Sequence, residues 1–458
     1  MKKIYIVLTL TFLSLTSCNQ DDFLDKDPYD RVLTENLITD LTSFNAAAKG
    51  VYDIFQDTYY YNSYYLVLAD LMSDNVKNNN FSVFSAIDRY QTEANDIYAQ
   101  RTWAKISYAI AQTSIVIRQA EIFNFGADQE KATELIGQLY AARALAYFDM
   151  QRLFAQPYNF TADASHLGIP LVDETQVGIE LINSPRSTTK EVFMKIVSDL
   201  EKGLLLIGDD TSSVYYLNKN SAKALLARVH LYMENWAEAN TLATEVINSG
   251  YNLVSNANYV ASWAADNSSE SIFSIVNTST DNSSTNSISY YYGRPRYLAT
   301  NDLNTALDAN DVRKKLIANN KVLKYPAYAT RDNNTPVIRL SEMYLIKAEA
   351  LAEMNLDTDA KAAVNMILLR ANPLATPYTQ TGSALKDIIQ EERRKELMFE
   401  GHRIFDLTRK KKSFTKYSTS SETSITVNYP NNRTILPIPQ SEIDANDNIS
   451  QSQQNEGY

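Results

Sequence analysis

Glycine is scarce in this sequence, and that scarcity limits the fold more than any other feature. Twelve glycines and twelve prolines stand among 458 residues, less than half the usual combined share. Tight turns between strands lean on glycine for positive φ, so the composition argues against a β-rich fold and excludes collagen-like or Pro/Gly-rich chains. Helix takes the place of turns. Leu135, Leu139, Ala142, Ala146, Met150 and Leu153 recur at helical spacing. Leu225, Leu226, Val229, Tyr232 and Met233 form a second stripe.

Two helix pairs share a finer pattern. Ala227 is followed by Trp236 and then Ala239, and Ala348 by Asp357 and then Ala360 at the same spacing. A small residue in each of two antiparallel helices lets them approach closely, which is how tetratricopeptide-type (TPR) repeats pack. The second pair lacks the aromatic at the turn. Tyr59, Tyr60, Tyr61, Tyr64 and Tyr65 read as a helix with half of its rings in the core. Between Trp263 and Pro336 the helical signal fades into Ser-, Asn- and Thr-rich sequence, with a short strand predicted over 272–276. A loop zone of that length inside a helical chain is either functional or disordered, and its embedded Tyr290, Tyr291, Tyr292 and Tyr297 favour function. Residues 425–429 and 433–439 read as extended, and Pro437 and Pro439 forbid a helix there. The fold expected is mainly α, with TPR-like helical hairpins packed against a loop-rich subdomain that carries a few short strands.

The formal net charge is −11, and no domain-sized basic surface is present to neutralise phosphates, so nucleic acid is not a partner. No pair of glycines has the spacing of a dinucleotide fingerprint or a nucleophile elbow. Gly203 and Gly208 have the spacing of a phosphate loop, but Asp209 stands where lysine is required. His166, His230 and His402 are too scattered for a zinc pair, and His230 reads as a core or boundary residue. The reading is of no catalytic residue, no metal and no cofactor. A carboxylate-dependent glycoside hydrolase is the enzyme alternative, since 54 acidic residues offer many pairs that only geometry could select.

The N-terminus carries the most local information. Lys2 and Lys3 precede an apolar run from Ile4 to Leu15, the layout of a secretory signal and too short to span a bilayer. Leu15-Thr16-Ser17-Cys18 resembles a bacterial lipobox, in which cleavage before the cysteine is coupled to its acylation. Cys18 is the only cysteine, which favours that role over chance, and multiple acyl chains give stable anchoring. The acidic Asn19–Asp25 stretch resembles the signal that sends some lipoproteins to the outer face of the outer membrane.

The densest charged run extends from Glu391 to Arg409. Arg393–Glu396 and Glu400–Arg403 are opposite-charge neighbours at i, i+3. Apolar Leu397, Phe399, Ile404, Phe405 and Leu407 are interleaved, so part of the network is expected against the core, in a structural role. Ile389 to Leu397 with Glu400 to Arg409 also resembles the signature helix of the SusD/RagB family. Phe23-Leu24-Asp25, Ala48 to Tyr52, Trp103 to Tyr108, Arg339 to Ala350, Ile435 to Pro439 and Gln454 to Tyr458 match that family in order.

The resemblance implies an outer-membrane lipoprotein, facing the cell exterior, that lies over a SusC-like TonB-dependent transporter, captures a glycan and passes it on without catalysis. Peptide cargo in the same role is the alternative. The expected organisation is a lipoprotein signal peptide over 1–17 and a lipid-anchored tether over 18–35. An N-terminal helical region with TPR-like hairpins follows over 36–262, then a loop-rich ligand-binding insertion over 263–335. A C-terminal helical region with the signature helix covers 336–412, and an extended segment 413–458. Sugar rings present apolar C–H faces to aromatics and hydroxyls to Asn, Asp and Arg. Two clusters suit them. One is Asp74, Asn75, Asn78, Phe81 and Tyr90; the other is Trp263, Tyr290, Tyr291, Tyr292, Arg294 and Tyr297.

Overall fold

A computed structural model describes residues 37–79, 82–172, 183–418 and 423–458. The signal peptide, Cys18, the tether and Phe81 lie outside the described residues. The chain enters through helix α1 (Leu41–Phe55), where the Asp40 carboxylate accepts the Ser43 N–H in a capping box. Residues 57–63 are turns, and helix α2 (Tyr64–Leu71) begins later than the tyrosine run suggests. Tyr60, Tyr61, Tyr64 and Tyr65 are all buried, more than the expected half. For three of them the cause is one carboxylate: the hydroxyls of Tyr60, Tyr61 and Tyr65 donate to buried Asp149 at 2.7, 2.7 and 2.9 Å, while Tyr64 packs edge-on against Phe84 and Tyr291.

Strand β1 (Val76–Asn78) and a single turn α3 (Ser85–Asp88) lead to the long helices α4 (Ile97–Ile122) and α5 (Gln129–Phe154). A short antiparallel pair, β2 (Leu167–Pro170) with β3 (Arg186–Thr188), precedes α6 (Thr189–Leu206), α7 (Lys219–Tyr232) and α8 (Trp236–Ile247). The chain then leaves the helical array. It forms α9 (Tyr259–Ser262), β4 (Ser271–Ile275), α10 (Ile288–Gly293), β5 (Tyr297–Ala299), α11 (Asn301–Ala306), β6 (Ile317–Ala318), β7 (Lys321–Val322) and β8 (Thr335–Arg339). It returns as α12 (Leu340–Glu353), α13 (Asp357–Ala371), α14 (Gly382–Glu396) and α15 (Arg403–Arg409), and ends in β9 (Phe414–Ser418), β10 (Thr423–Val427) and α16 (Gln440–Ala445).

The fold is mainly α, with helices stacked as TPR-like hairpins. Each of α4 to α8 packs on the next, and α8 packs directly on α12, which pairs with α13. The small residues sit where the hairpins need them: Ala227, Ala239, Ala348 and Ala360 have no exposed surface. In the second hairpin Asp357 replaces the turn aromatic, and its carboxylate accepts the Gly382 N–H at 2.8 Å at the start of α14. Because α8 and α12 touch, everything from 248 to 339 is one excursion out of the array. Its base is sealed by antiparallel β4 and β8, with Ser271 opposite Arg339 and Ile275 opposite Thr335.

The charged run of α14 and α15 is interior; Lys395 pairs with Glu392 and Arg409 with Asp406 at i, i+3, but the two neighbours expected to pair, Arg393 with Glu396 and Glu400 with Arg403, find other partners. Arg393 bonds Asp406 at 2.8 Å and Arg403 bonds Asp74 at 2.8 Å. Glu396 accepts from Arg339, Arg370 and Arg313 at 2.6, 2.6 and 3.1 Å. A buried charge needs every lone pair answered, and partners arriving from other elements do that better than one neighbour on the same helix face.

Candidate functional site

Strand β1 pairs antiparallel with β5, Val76 opposite Ala299 and Asn78 opposite Tyr297. This register brings the two predicted clusters together, one from the N-terminal region and one from the excursion. The Asn79 N–H donates to the Arg296 carbonyl at 2.7 Å and its side-chain amide to the Pro295 carbonyl at 2.8 Å, extending the seam past the strands.

Helix α10 distributes the tyrosine triplet. Ser287 caps it, accepting the Tyr290 N–H, and successive residues then point about 100° apart. Tyr292 turns inward and is fully buried; its hydroxyl donates to Asp70 at 2.6 Å, and its ring stacks on Tyr325. Burial pushes the Asp70 carboxyl up to about 7, against the pull of Tyr292 and the Gly401 N–H. Tyr291 packs into an aromatic cluster with Phe84 at 5.7 Å, Tyr297 at 5.7 Å and Tyr64 at 6.1 Å. Tyr290 turns outward.

Outside, Tyr290 meets Tyr328, which is 39% exposed. The two rings are nearly parallel, 5.5 Å between centroids at 7°. Arg294 stands 4.3 Å over the Tyr290 ring, and its Nε donates to the Tyr328 hydroxyl at 3.1 Å. Arg331 approaches the same Tyr290 ring at 5.5 Å and donates to the Ser284 hydroxyl at 3.1 Å. Gly293 makes this contact possible. A β-carbon there would stand 2.4 Å from Cδ2 of Tyr328 and 3.0 Å from its Cβ, so any larger residue would push the ring away.

Several predicted contact residues belong to the support beneath this surface. Asp74 is buried; burial would raise its carboxyl, but the Arg403 guanidinium, bonded at 2.8 and 2.9 Å, holds it below the ordinary value. Buried Asn75 accepts from Arg394 at 2.8 Å, and buried Asn78 donates to the Val83 carbonyl at 3.1 Å. Tyr90 spends its hydroxyl on the Met72 carbonyl, and Tyr297, fully buried, on that of Val83 at 3.2 Å. Tyr90 keeps a half-buried ring, while Asp74, Asn75, Asn78 and Tyr297, with Tyr291 and Tyr292, are buried: the polarity that marks them as sugar partners in the sequence is consumed in fixing the loops. Trp263 is half-buried, 4.1 Å beneath the Lys324 ammonium, and is linked to α10 through Tyr325 and Tyr292. Phe81 lies outside the described residues. Tyr290 and Arg294 alone of the predicted set stand in the outward cluster. Tyr328 and Arg331 escape sequence reasoning; their signal is an aromatic and a cation within the polar run 326–334.

Among the described residues no group of His, Cys, Asp and Glu is placed to hold a metal ion, and no helix is long and apolar enough to cross a membrane. The hollow of about 510 Å³ at the end of α14 is lined by charges already paired, such as Arg394 with Asp302 at 2.6 Å.

Comparison with known proteins agrees with this architecture. A model described as the SusD family matches residues 234–458, and one described as starch-binding, associating with outer membrane, matches residues 22–231. The chain belongs to the SusD/RagB family. SusD-like protein P38 of Formosa agariphila is 25% identical over 358 residues, 61% of this chain and 67% of that one. SusD-like protein P25 of the same organism is 23% identical over 89% of this chain and 90% of its own. A SusD superfamily crystal structure from Bacteroides vulgatus superposes with a TM-score of 0.84 at 28% identity, covering 92% of this chain and all of that one. Another, from Bacteroides thetaiotaomicron, gives 0.82 at 27% identity over 91% of this chain.

Proposed function

We propose that this SusD/RagB protein captures a carbohydrate on the outward face of Tyr290 and Tyr328 and delivers it, chemically unchanged, to a SusC-like TonB-dependent transporter. The observation that carries the reading is the parallel tyrosine pair, 5.5 Å apart, pinned by Arg294 and presented on the 248–339 excursion from the helical array. A flat, partly exposed ring edged by guanidinium N–H groups answers both halves of a sugar, its C–H face and its hydroxyl rim. The match to a starch-binding, outer-membrane-associating model supports a glycan and that location. Acylation at Cys18 would hold the protein at the membrane, facing outward.

The test is retention on polysaccharide-containing native gels. Tyr290→Ala combined with Tyr328→Ala is expected to weaken retention about tenfold, roughly 1.4 kcal/mol, with the melting temperature within a degree or two of wild type. Unchanged retention with the fold intact removes this surface from the reading. Peptide binding without glycan binding would move the cargo to the alternative class. New reducing ends appearing from a retained glycan would make the protein a hydrolase.

A further inference from the structure

We infer that the cargo is an anionic sugar polymer, bearing carboxylate or sulfate groups, and that Arg294 and Arg331 select it. The inference rests on the reading of Tyr290 and Tyr328 as the capture surface and sharpens it.

Most buried arginines of this acidic chain pair with carboxylates, Arg143 with Asp199, Arg228 with Glu342, Arg313 with Asp311 and Arg409 with Glu349, while Arg186 bonds only backbone carbonyls. Arg294 and Arg331 are half-buried, and what distinguishes them is where they meet. Both converge on the Tyr290 ring, at 4.3 and 5.5 Å, and neither forms an ion pair with any described residue. Two like charges brought to one ring repel each other, and an anion placed beside them relieves the repulsion. Their donors are mostly unspent. A guanidinium carries five N–H groups; Arg294 uses its Nε on Tyr328, and Arg331 one Nη on Ser284. Arg331 also holds φ at +67°, a backbone cost for a residue with a side chain, of the kind that tends to persist at ligand-contacting sites.

The geometry matches a charged sugar better than a neutral one. Arg294 is bonded to the Tyr328 hydroxyl, so its guanidinium lies at the outer edge of that ring. A pyranose stacked on Tyr328 places its equatorial substituents around that same edge. A uronic carboxylate or a sulfate ester there meets a planar fork of donors, and charge-assisted bonds of this kind are about twice as strong as those to a neutral hydroxyl. The net charge of −11 opposes polyanions at long range, so the attraction has to be local, and it must weaken as salt rises.

The purified chain from residue 19 onward, run on native gels cast with polygalacturonate, chondroitin sulfate, fully methyl-esterified pectin or pullulan at low and raised salt, tests this. At least one of the first two is expected to retard the protein about tenfold more strongly than the neutral polymers, with retention falling as salt increases; which of the two does so separates carboxylate from sulfate. Arg294→Gln with Arg331→Gln should erase that advantage, so that the same variant retains charged and neutral polymers equally, whereas Arg294→Lys, which keeps charge but not the fork, should lose only part of it. Equal retention by neutral and anionic polymers, unmoved by the Arg→Gln pair, overturns the inference while the tyrosine surface stands. Polyanion retention that survives Tyr328→Ala is non-specific attraction and also overturns it. No retention by any of the four, neutral ones included, removes the tyrosine surface and the inference together.

Discussion

Single residues decide what the excursion presents. Gly293 ends α10 without a positive φ, and it is retained for space, since a β-carbon there meets the Tyr328 ring at 2.4 Å. The clash reaches the Cβ and Cγ of Tyr328, both at 3.0 Å, so ring rotation alone cannot relieve it: Gly293→Ala should displace Tyr328, lowering polysaccharide retention about as far as Tyr328→Ala and the melting temperature slightly. Asp70 makes a different prediction. Its carboxyl has a folded value of about 7 against an ordinary 3.8, so the native state holds a proton that the unfolded chain releases. The stability tied to that proton is complete below about pH 4 and is lost as pH rises through 7. Burial lowers His166, His230 and His402, and their effect has the opposite sign, growing as pH rises. The diagnostic is therefore the difference between Asp70→Asn and wild type. By linkage it should shift in favour of the variant by about 2–3 kcal/mol between pH 5 and pH 8, measured by urea unfolding. Neither residue is legible in the sequence. Which of three consecutive tyrosines faces outward depends on where Ser287 starts the helix, and Tyr328 reaches Tyr290 only because β4 and β8 close the excursion.

At the scale of elements the sequence is far more informative. Ala227, Ala239, Ala348 and Ala360 are readable as packing positions because a fixed spacing of small residues has one economical explanation in a helical chain, and all four are fully buried. Ala348→Leu or Ala360→Leu should overpack the second hairpin and cost about 1–3 kcal/mol, visible as a lowered urea midpoint with an unchanged slope. The charged run shows the limit of such reading. Alternating Arg and Glu with apolar residues announces a buried network, but i, i+3 spacing alone does not name its pairs: Lys395 meets Glu392 and Arg409 meets Asp406, while Arg393 finds Asp406 and Glu342 instead of Glu396. Pairing in a core is decided by which helices touch, and a linear pattern does not contain that. The same gap explains Asp74, Asn75 and Asn78. Their composition fits a ligand rim, yet Arg403, Arg394 and Val83 reach them first.

Across the whole molecule, the excursion is sewn into the array. Arg313 bonds Glu392 and Glu396 of α14 at 2.7 and 3.1 Å, and Lys324 bonds Glu400 at 2.6 Å. Tyr292, Tyr297 and Leu303 belong to the same contiguous apolar cluster as Ile38, Leu139 and Ile438. Removing the excursion would leave Glu392, Glu396 and Glu400 buried with partners missing, a penalty of several kcal/mol each. The capture surface and the helical body should therefore unfold as one. Calorimetry and tyrosine fluorescence are expected to report a single coincident transition, and two separable transitions would show the excursion to be an independent module. The same coupling makes the surface preorganised, so binding spends little on ordering loops. A glycan held on the proposed Tyr290–Tyr328 surface would then stabilise the entire chain. Ligand at 100 times its Kd adds about 2.7 kcal/mol, and that increment should raise the global melting transition without changing its cooperativity.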